Sequence, residues 1–259
     1  MIVAVMNHKG GVGKTTTTVG LAAAMCEGGA HVLVVDLDQQ ASASLSLGLN
    51  REDLEPSMVE VFRGSQKMAD AVRRLDNGLH LVPAAMGLIG TDLELSQNPA
   101  PARLKEALAS LPDSYDFVFL DCPPSISRVT EQALVAADAF LVPVTPQHLA
   151  LEGLVGCFSA VEEIRNRHVL KPLPLLGIVL TMVDYRIRST SHIVRELRHR
   201  LGPKLYKTEI RTNVALAEAP RFGKTIFEHA PSATGARAYW DLAAEVIHRA
   251  TGEQWTQKN

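Results

Sequence analysis

A chain of 259 residues with 46% hydrophobic side chains is long enough to bury one large core, so a single α/β domain over residues 1–259 is expected, with a short polar tail from about residue 250. A net charge of −2 says nothing for or against nucleic acid, while the lack of any apolar run near ~18 residues excludes a spanning helix. Cys26, Cys122 and Cys157 lie far apart without a C-x-x-C pair, which argues against a metal or iron–sulfur centre and against a disulfide framework. With no leader pattern ahead of the first strand, a cytoplasmic protein is expected.

The chain opens on a strand-type apolar run, Ile2 to Met6, which stops at a Gly-rich turn before a helix-forming segment from Thr17 to Cys26. The stretch Lys9-Gly10-Gly11-Val12-Gly13-Lys14-Thr15-Thr16 fits the phosphate-loop pattern with Lys9 in place of its first glycine. Such a turn aims backbone N–H groups and a helix N-terminus at phosphate oxygens. Lys14 is then expected on the β- and γ-phosphates, and the Thr15 hydroxyl on Mg²⁺. Two ammonium groups cannot easily share one γ-phosphate within a chain. Lys9 is therefore expected to reach the phosphate of a neighbouring subunit, as an arginine finger supplied in trans does. The stretch resembles the deviant Walker A motif of the ParA/MinD family of P-loop ATPases. That resemblance implies ATP as cofactor and an ATP-sandwiched homodimer with the first lysine crossing the interface.

Further along, a buried strand at His31 to Val35 leads into Asp36-Leu37-Asp38-Gln39-Gln40. Carboxylates at the carboxyl end of a parallel strand beside a phosphate loop are where a magnesium or attacking-water contact is expected. Strand alternation puts Asp36 and Asp38 on one side. The family pattern is Asp-x-Asp-Pro-Gln, and the resemblance assigns Asp38 to the hydrolytic water and the Mg²⁺ shell; Gln39 replaces the usual proline. Residues 41–78 are helical in pattern, with Ser42 and Ser44 read as turn and cap residues. A short strand at His80 to Pro83, a loop at Asn98 to Pro101 and a helix from Ala102 to Leu111 follow.

Tyr115 to Pro124 contains a buried strand ending in Asp121, a Walker B arrangement whose carboxylate meets the Mg²⁺ shell. Cys122 beside it reads as a packed residue. Strands at Ala139–Val144 and Leu175–Met182 complete an alternation of strands and helices. The predicted fold class is therefore α/β, one doubly wound, mostly parallel sheet with helices on both faces. Residues 181–224 hold ten Lys/Arg against four Asp/Glu, a basic face on an otherwise acidic body.

Within that face Arg195 and Arg198 are three apart on a helix, and Arg188 lies in the loop before it. Without an apparent base-reading helix, phosphate contact with non-specific double-stranded DNA is the functional reading. The family resemblance adds Arg186. The segment Thr208 to Pro220 resembles Thr-x-Ile-Pro-Arg-Asn-Val-Arg-Leu-Ser-Glu-Ala-Pro, which in the family packs on adenine and touches DNA. Asn213 is retained there, with an amide suited to a purine edge. Arg211 replaces the proline and leaves only a backbone contact to adenine, while Thr212 and Ala215 replace arginines. Arg211, Arg221 and Lys224 are read as compensating DNA contacts.

These motifs lead to an expected function: a Mg²⁺-dependent ATPase, slow by itself, that partitions a chromosome or plasmid on the nucleoid with a ParB-like partner. The same switch positioning another cargo on the nucleoid is the alternative. A membrane-cycling regulator is ranked below both, because the tail Ala250 to Asn259 is polar and broken by Gly252.

Overall fold

The computed structural model describes residues 1–97, 100–253 and 255. Among the described residues eight strands form one sheet: β1 (Ile2–Val5), β2 (Val32–Asp36), β3 (Arg73–Arg74), β4 (His80–Val82), β5 (Phe117–Asp121), β6 (Ala139–Val144), β7 (Leu175–Val183) and β8 (Leu205–Arg211). Their order is β3-β4-β2-β5-β1-β6-β7-β8, and every pairing is parallel except β3 with β4. Seven strands therefore end at one edge, where the connecting loops gather.

Alternation along the strands separates two cores. Val3, Val5, Val32, Val34, Phe117 and Phe119 face one side of the sheet; Ala4, Met6, Leu33, Val35, Val118 and Leu120 face the other. The first side is covered by α1 (Lys14–Glu27), with Leu21 and Met25 inward, and by α12 (Thr234–Thr251), with Tyr239, Leu242 and Val246 inward. On the second side lie α3 (Met58–Arg63), α4 (Met68–Ala71), α5 (Leu88–Gln97), α6 (Arg103–Ala109), α7 (Arg128–Ala136), α8 (Ala150–Arg167) and α9 (Thr190–Leu201). Short helices α2 (Ser42–Ser46), α10 (Val214–Glu218) and α11 (Ile226–His229) sit in the connections. The doubly wound sheet is the one the strand–helix alternation predicts.

Three expectations are corrected in detail. Residues 41–78 form short helices separated by turns and end in the antiparallel β3, because Gly48, Gly64 and Pro56 interrupt any longer helical run. The second aspartate lies beyond β2, so strand alternation does not apply to Asp38. The last helix continues to Thr251, and Gly252 at φ 77° closes it; beyond it the Trp255 ring stacks on Trp240 at 4.4 Å. Asn98 and Pro99 of the predicted loop, and Gln254 and residues 256–259 of the predicted tail, lie outside the described residues.

Helix α1 carries the phosphate-loop pattern at its start, so its seating matters for function. It packs on α12 through Gly20, where an added Cβ would come within 2.7 Å of the Tyr239 ring. Alanine favours a helix by about 1 kcal/mol over glycine. The clash should outweigh that gain, since overpacking a close contact costs about 1–3 kcal/mol. Gly20→Ala is therefore expected to lower the thermal midpoint of the purified chain, which calorimetry would measure.

Candidate functional site

The loop after β1 is held by the strands beside it. Asn7 Nδ2 donates to the Pro143 carbonyl at 2.8 Å and its Oδ1 accepts from Lys9 N–H at 3.0 Å. Thr181 Oγ1, from β7, donates to the Val12 carbonyl at 2.8 Å. Gly11 and Gly13 have φ of 72° and 80°, a region that glycine enters without steric cost. A Cβ at Gly10 or Gly11 would meet nothing within 4 Å, so the loop surrounds open space. Gly13 caps α1 without any side chain covering the first-turn N–H groups, which leaves the positive end of the helix dipole aimed at that space.

Two cations border it. Lys14 is buried, with Nζ donating to the Lys9 carbonyl at 3.2 Å. Burial holds its pKa below the ordinary lysine value, with Asp121 opposing the shift. Lys9 is exposed, its Nζ donating to Gln147 Oε1 in the loop after β6. Gln147 is a contact the sequence did not single out.

The acidic wall comes from neighbouring strands in register, with Asp36 beside Asp121. Asp121 accepts from Thr15 Oγ1 at 2.7 Å and from Thr18 Oγ1 at 3.1 Å. Thr18 was missed, although its place three residues after Thr15 on one helix face was a usable signal. Burial raises the pKa of both Asp36 and Asp121, and their mutual repulsion adds to the rise at Asp121. Asp38 is only half-buried and its Oδ1 accepts from Gln40 N–H at 3.0 Å. Ser44 is not a surface cap: it is fully buried and donates to Asp36 Oδ2 at 2.7 Å. Magnesium fits this wall. Thr15, Asp38 and Asp121 offer the hard oxygen donors it takes, and a divalent cation relieves the repulsion between buried carboxylates.

The remaining predicted residues divide into three places. Asn213 caps α10, with Oδ1 accepting from Leu216 N–H at 3.2 Å and Nδ2 donating to Thr234 Oγ1 at 2.9 Å. Its amide is engaged within the chain. Arg211 at the end of β8 sets its guanidinium 5.1 Å from the Tyr185 ring centroid. Lys224 lines a narrow cleft with Thr15, Thr16, Val19 and Pro220, beside the start of α1. Arg221 is exposed close by in sequence.

On the basic face, Arg188 and Arg195 are exposed, and Arg186 is 84% exposed while paired with Asp184 at 2.7 Å. Arg198 turns away from Arg195 toward β8, where it bonds Glu209 at 2.5 Å and the Lys207 carbonyl at 3.0 Å. Cys122 is buried in the core and burial raises its thiol pKa, the state of a packed residue.

A phosphate loop closing the central strand of a parallel sheet, faced by strand-end carboxylates, defines the P-loop class of nucleotide-binding proteins. Comparison with known proteins narrows this. A family profile described as an AAA domain matches residues 1–172. The chain is 44% identical over 248 residues to the chromosome-partitioning ATPase Soj of Thermus thermophilus, covering 95% of each chain. It is 37% identical to the chromosome partitioning protein ParA of Caulobacter vibrioides, over 98% of this chain and 96% of that one.

Among solved structures it superimposes with a TM-score of 0.82 on cobyrinic acid a,c-diamide synthase from Mycobacterium smegmatis with a bound ATP analogue and magnesium. Identity there is 31%, with 100% of this chain and 99% of that chain covered. It also matches the septum site-determining protein MinD of Pyrococcus horikoshii with Mg-ADP, at a TM-score of 0.73 and 25% identity, over 96% and 97% of the two chains. The chain belongs to the Soj/ParA family of chromosome-partitioning ATPases. Among the described residues no helix is long and apolar enough to cross a membrane.

Proposed function

We propose that two copies of the chain close around ATP, that the closed dimer holds DNA through phosphate contacts, and that hydrolysis, accelerated by a ParB-like partner, releases it. The observation that carries this reading is the different placing of the two lysines, Lys14 buried and Lys9 exposed. Lys14 folds over its own loop, whereas Lys9 projects from the exposed rim, where a second copy could approach. Lys14 would neutralise the β- and γ-phosphates in its own chain and Lys9 the γ-phosphate across the interface. Asp38 would orient the attacking water. Thr15, Asp38 and Asp121 would hold magnesium, which supplies charge neutralisation on the phosphate oxygens when bound. Among the described residues no strong general base is offered to the attacking water, so intrinsic turnover is expected to be slow. Arg211, through its backbone, and Asn213 would contact the adenine base.

DNA contact is assigned to Arg186, Arg188 and Arg195, with Arg211 at the end of β8 and Arg221 and Lys224 beyond it. Arg198, already bonded to Glu209, would act mainly by holding α9 against β8. The test is retention on unrelated duplex DNA with ATP, ADP and no nucleotide, at two salt concentrations. ATP-dependent, salt-sensitive retention is expected, which corresponds to a nucleoid-associated protein. Arg186→Ala should weaken it on every sequence and reduce the salt slope by about 1, the loss of one phosphate contact. Retention that ignores nucleotide would remove the proposed switch.

A further inference from the structure

The loop bearing Asp38 is pinned by one buried carboxylate. Asp36 sits at the end of β2 with no solvent exposure; its Oδ1 accepts from Asp38 N–H at 3.1 Å. Its Oδ2 accepts from both Ser44 N–H, at 2.8 Å, and Ser44 Oγ, at 2.7 Å. Ser44 Oγ also accepts from Ala84 N–H at 3.2 Å, near the start of the connection from β4 to α5. Two backbone bonds complete the frame: Leu37 N–H to the Asp121 carbonyl at 3.1 Å, and Ala41 N–H to the Asp38 carbonyl at 2.8 Å. Ala41 takes φ 55°, so the turn from Asp38 into α2 holds a conformation that alanine adopts only at a cost.

This geometry has a consequence for hydrolysis. Asp38 is half-buried, and among the described residues its carboxylate bonds only the nearby Gln40 N–H. What fixes its distance from Lys14 and Asp121 is its backbone, and the backbone is held through Asp36 and Ser44. The Ser44 hydroxyl joins three segments: the end of β2, the start of α2 and the connection after β4. We propose that Ser44 is a positioning residue for ATP hydrolysis, acting through Asp36 to hold Asp38 where it orients water. The inference rests on the reading of Asp38 given above.

Removing the hydroxyl leaves the Ala84 N–H unpaired and takes one donor from Asp36, so the turn gains freedom at Asp38 while Gly10 to Thr15 keep their own supports. A displacement of about 1 Å at a reacting group costs on the order of 100-fold in rate. The experiment compares the wild-type chain with Ser44→Ala, Ser44→Cys and Asp38→Ala. It measures kcat and KM for Mg-ATP, and binding of a fluorescent ATP analogue.

Ser44→Ala is expected to lower kcat by about 10- to 100-fold with analogue affinity and KM nearly unchanged. Ser44→Cys, similar in shape and a weaker donor, should recover part of the loss. Asp38→Ala should abolish turnover while binding persists. Loss of kcat and affinity together in both Ser44 variants would mean that Ser44 only supports folding, which overturns the proposal. Wild-type kcat in Ser44→Ala with turnover abolished in Asp38→Ala would overturn the clamp and leave Asp38 its role. Normal turnover in Asp38→Ala would overturn both.

Discussion

A Lys9→Ala chain is expected to bind ATP as a monomer, to show no ATP-dependent dimer, and to hydrolyse ATP about 1,000-fold more slowly than the wild type. The magnitude follows from what a cation supplied in trans to a transferring γ-phosphoryl group contributes, roughly 10³–10⁵ in rate. Binding should survive because the groups that surround the phosphate space from within the chain are untouched: Lys14, the Gly10–Gly13 backbone and the first turn of α1. The bond that Lys9 makes to Gln147 is exposed and has a neutral acceptor, so giving it up costs little, about 1 kcal/mol. A phosphate across an interface, with its full negative charge, is the stronger partner. Lys14→Ala provides the contrast, since it should lose ATP binding itself. Sedimentation with and without ATP, together with turnover, separates the two lysines. A Lys9→Ala chain that dimerises and turns over normally would leave this lysine without the assigned role.

What the sequence disclosed and what it withheld follow from the range of the interactions. The sheet was legible because its strands are buried on both faces and read as apolar runs, such as Val32 to Val35 and Phe117 to Leu120, each bounded by turns. The phosphate loop was legible because its function requires glycines at a fixed spacing within one short segment. Ser44 could not be placed the same way. Its partners, Asp36 and Ala84, are 8 and 40 residues away, and a serine two places into a short helix looks locally like a cap. Gln147 escaped for the same reason, lying 138 residues from Lys9. The pattern also overstated the link between Arg195 and Arg198. Helical spacing set them on one face, but Glu209 on β8 draws Arg198 toward the sheet, and only the fold brings α9 beside β8. Asn213 shows a related limit: an amide chosen for its hydrogen-bonding capacity is the cap of the next helix.

Asp121→Asn is expected to make the nucleotide-free chain more stable at neutral pH while reducing Mg-ATP turnover by at least about 100-fold, the two effects having one cause. The Asp121 carboxyl has no solvent exposure, and burial with the neighbouring Asp36 pushes its pKa well above the ordinary 3.8. An acid whose pKa is raised by folding holds its proton longer in the folded state than in the unfolded one. Stability therefore falls as pH rises from about 4 through the raised value, because the unfolded chain ionises first. Asparagine does not titrate, and Thr15 and Thr18 hydroxyls remain within reach of its oxygen and amide. Without magnesium, the variant should be more stable than the wild type at pH 7, with the advantage shrinking toward pH 4. Thermal midpoints across that range, with a chelator present, measure it. With magnesium and ATP the ranking should invert. A divalent cation beside the carboxylate favours its charged form and binds it, an attraction that neutral asparagine cannot match. If the variant is less stable at every pH without magnesium, the buried charge is not a cost that the cation relieves, and Asp121 acts in this chain mainly as an acceptor for Thr15 and Thr18.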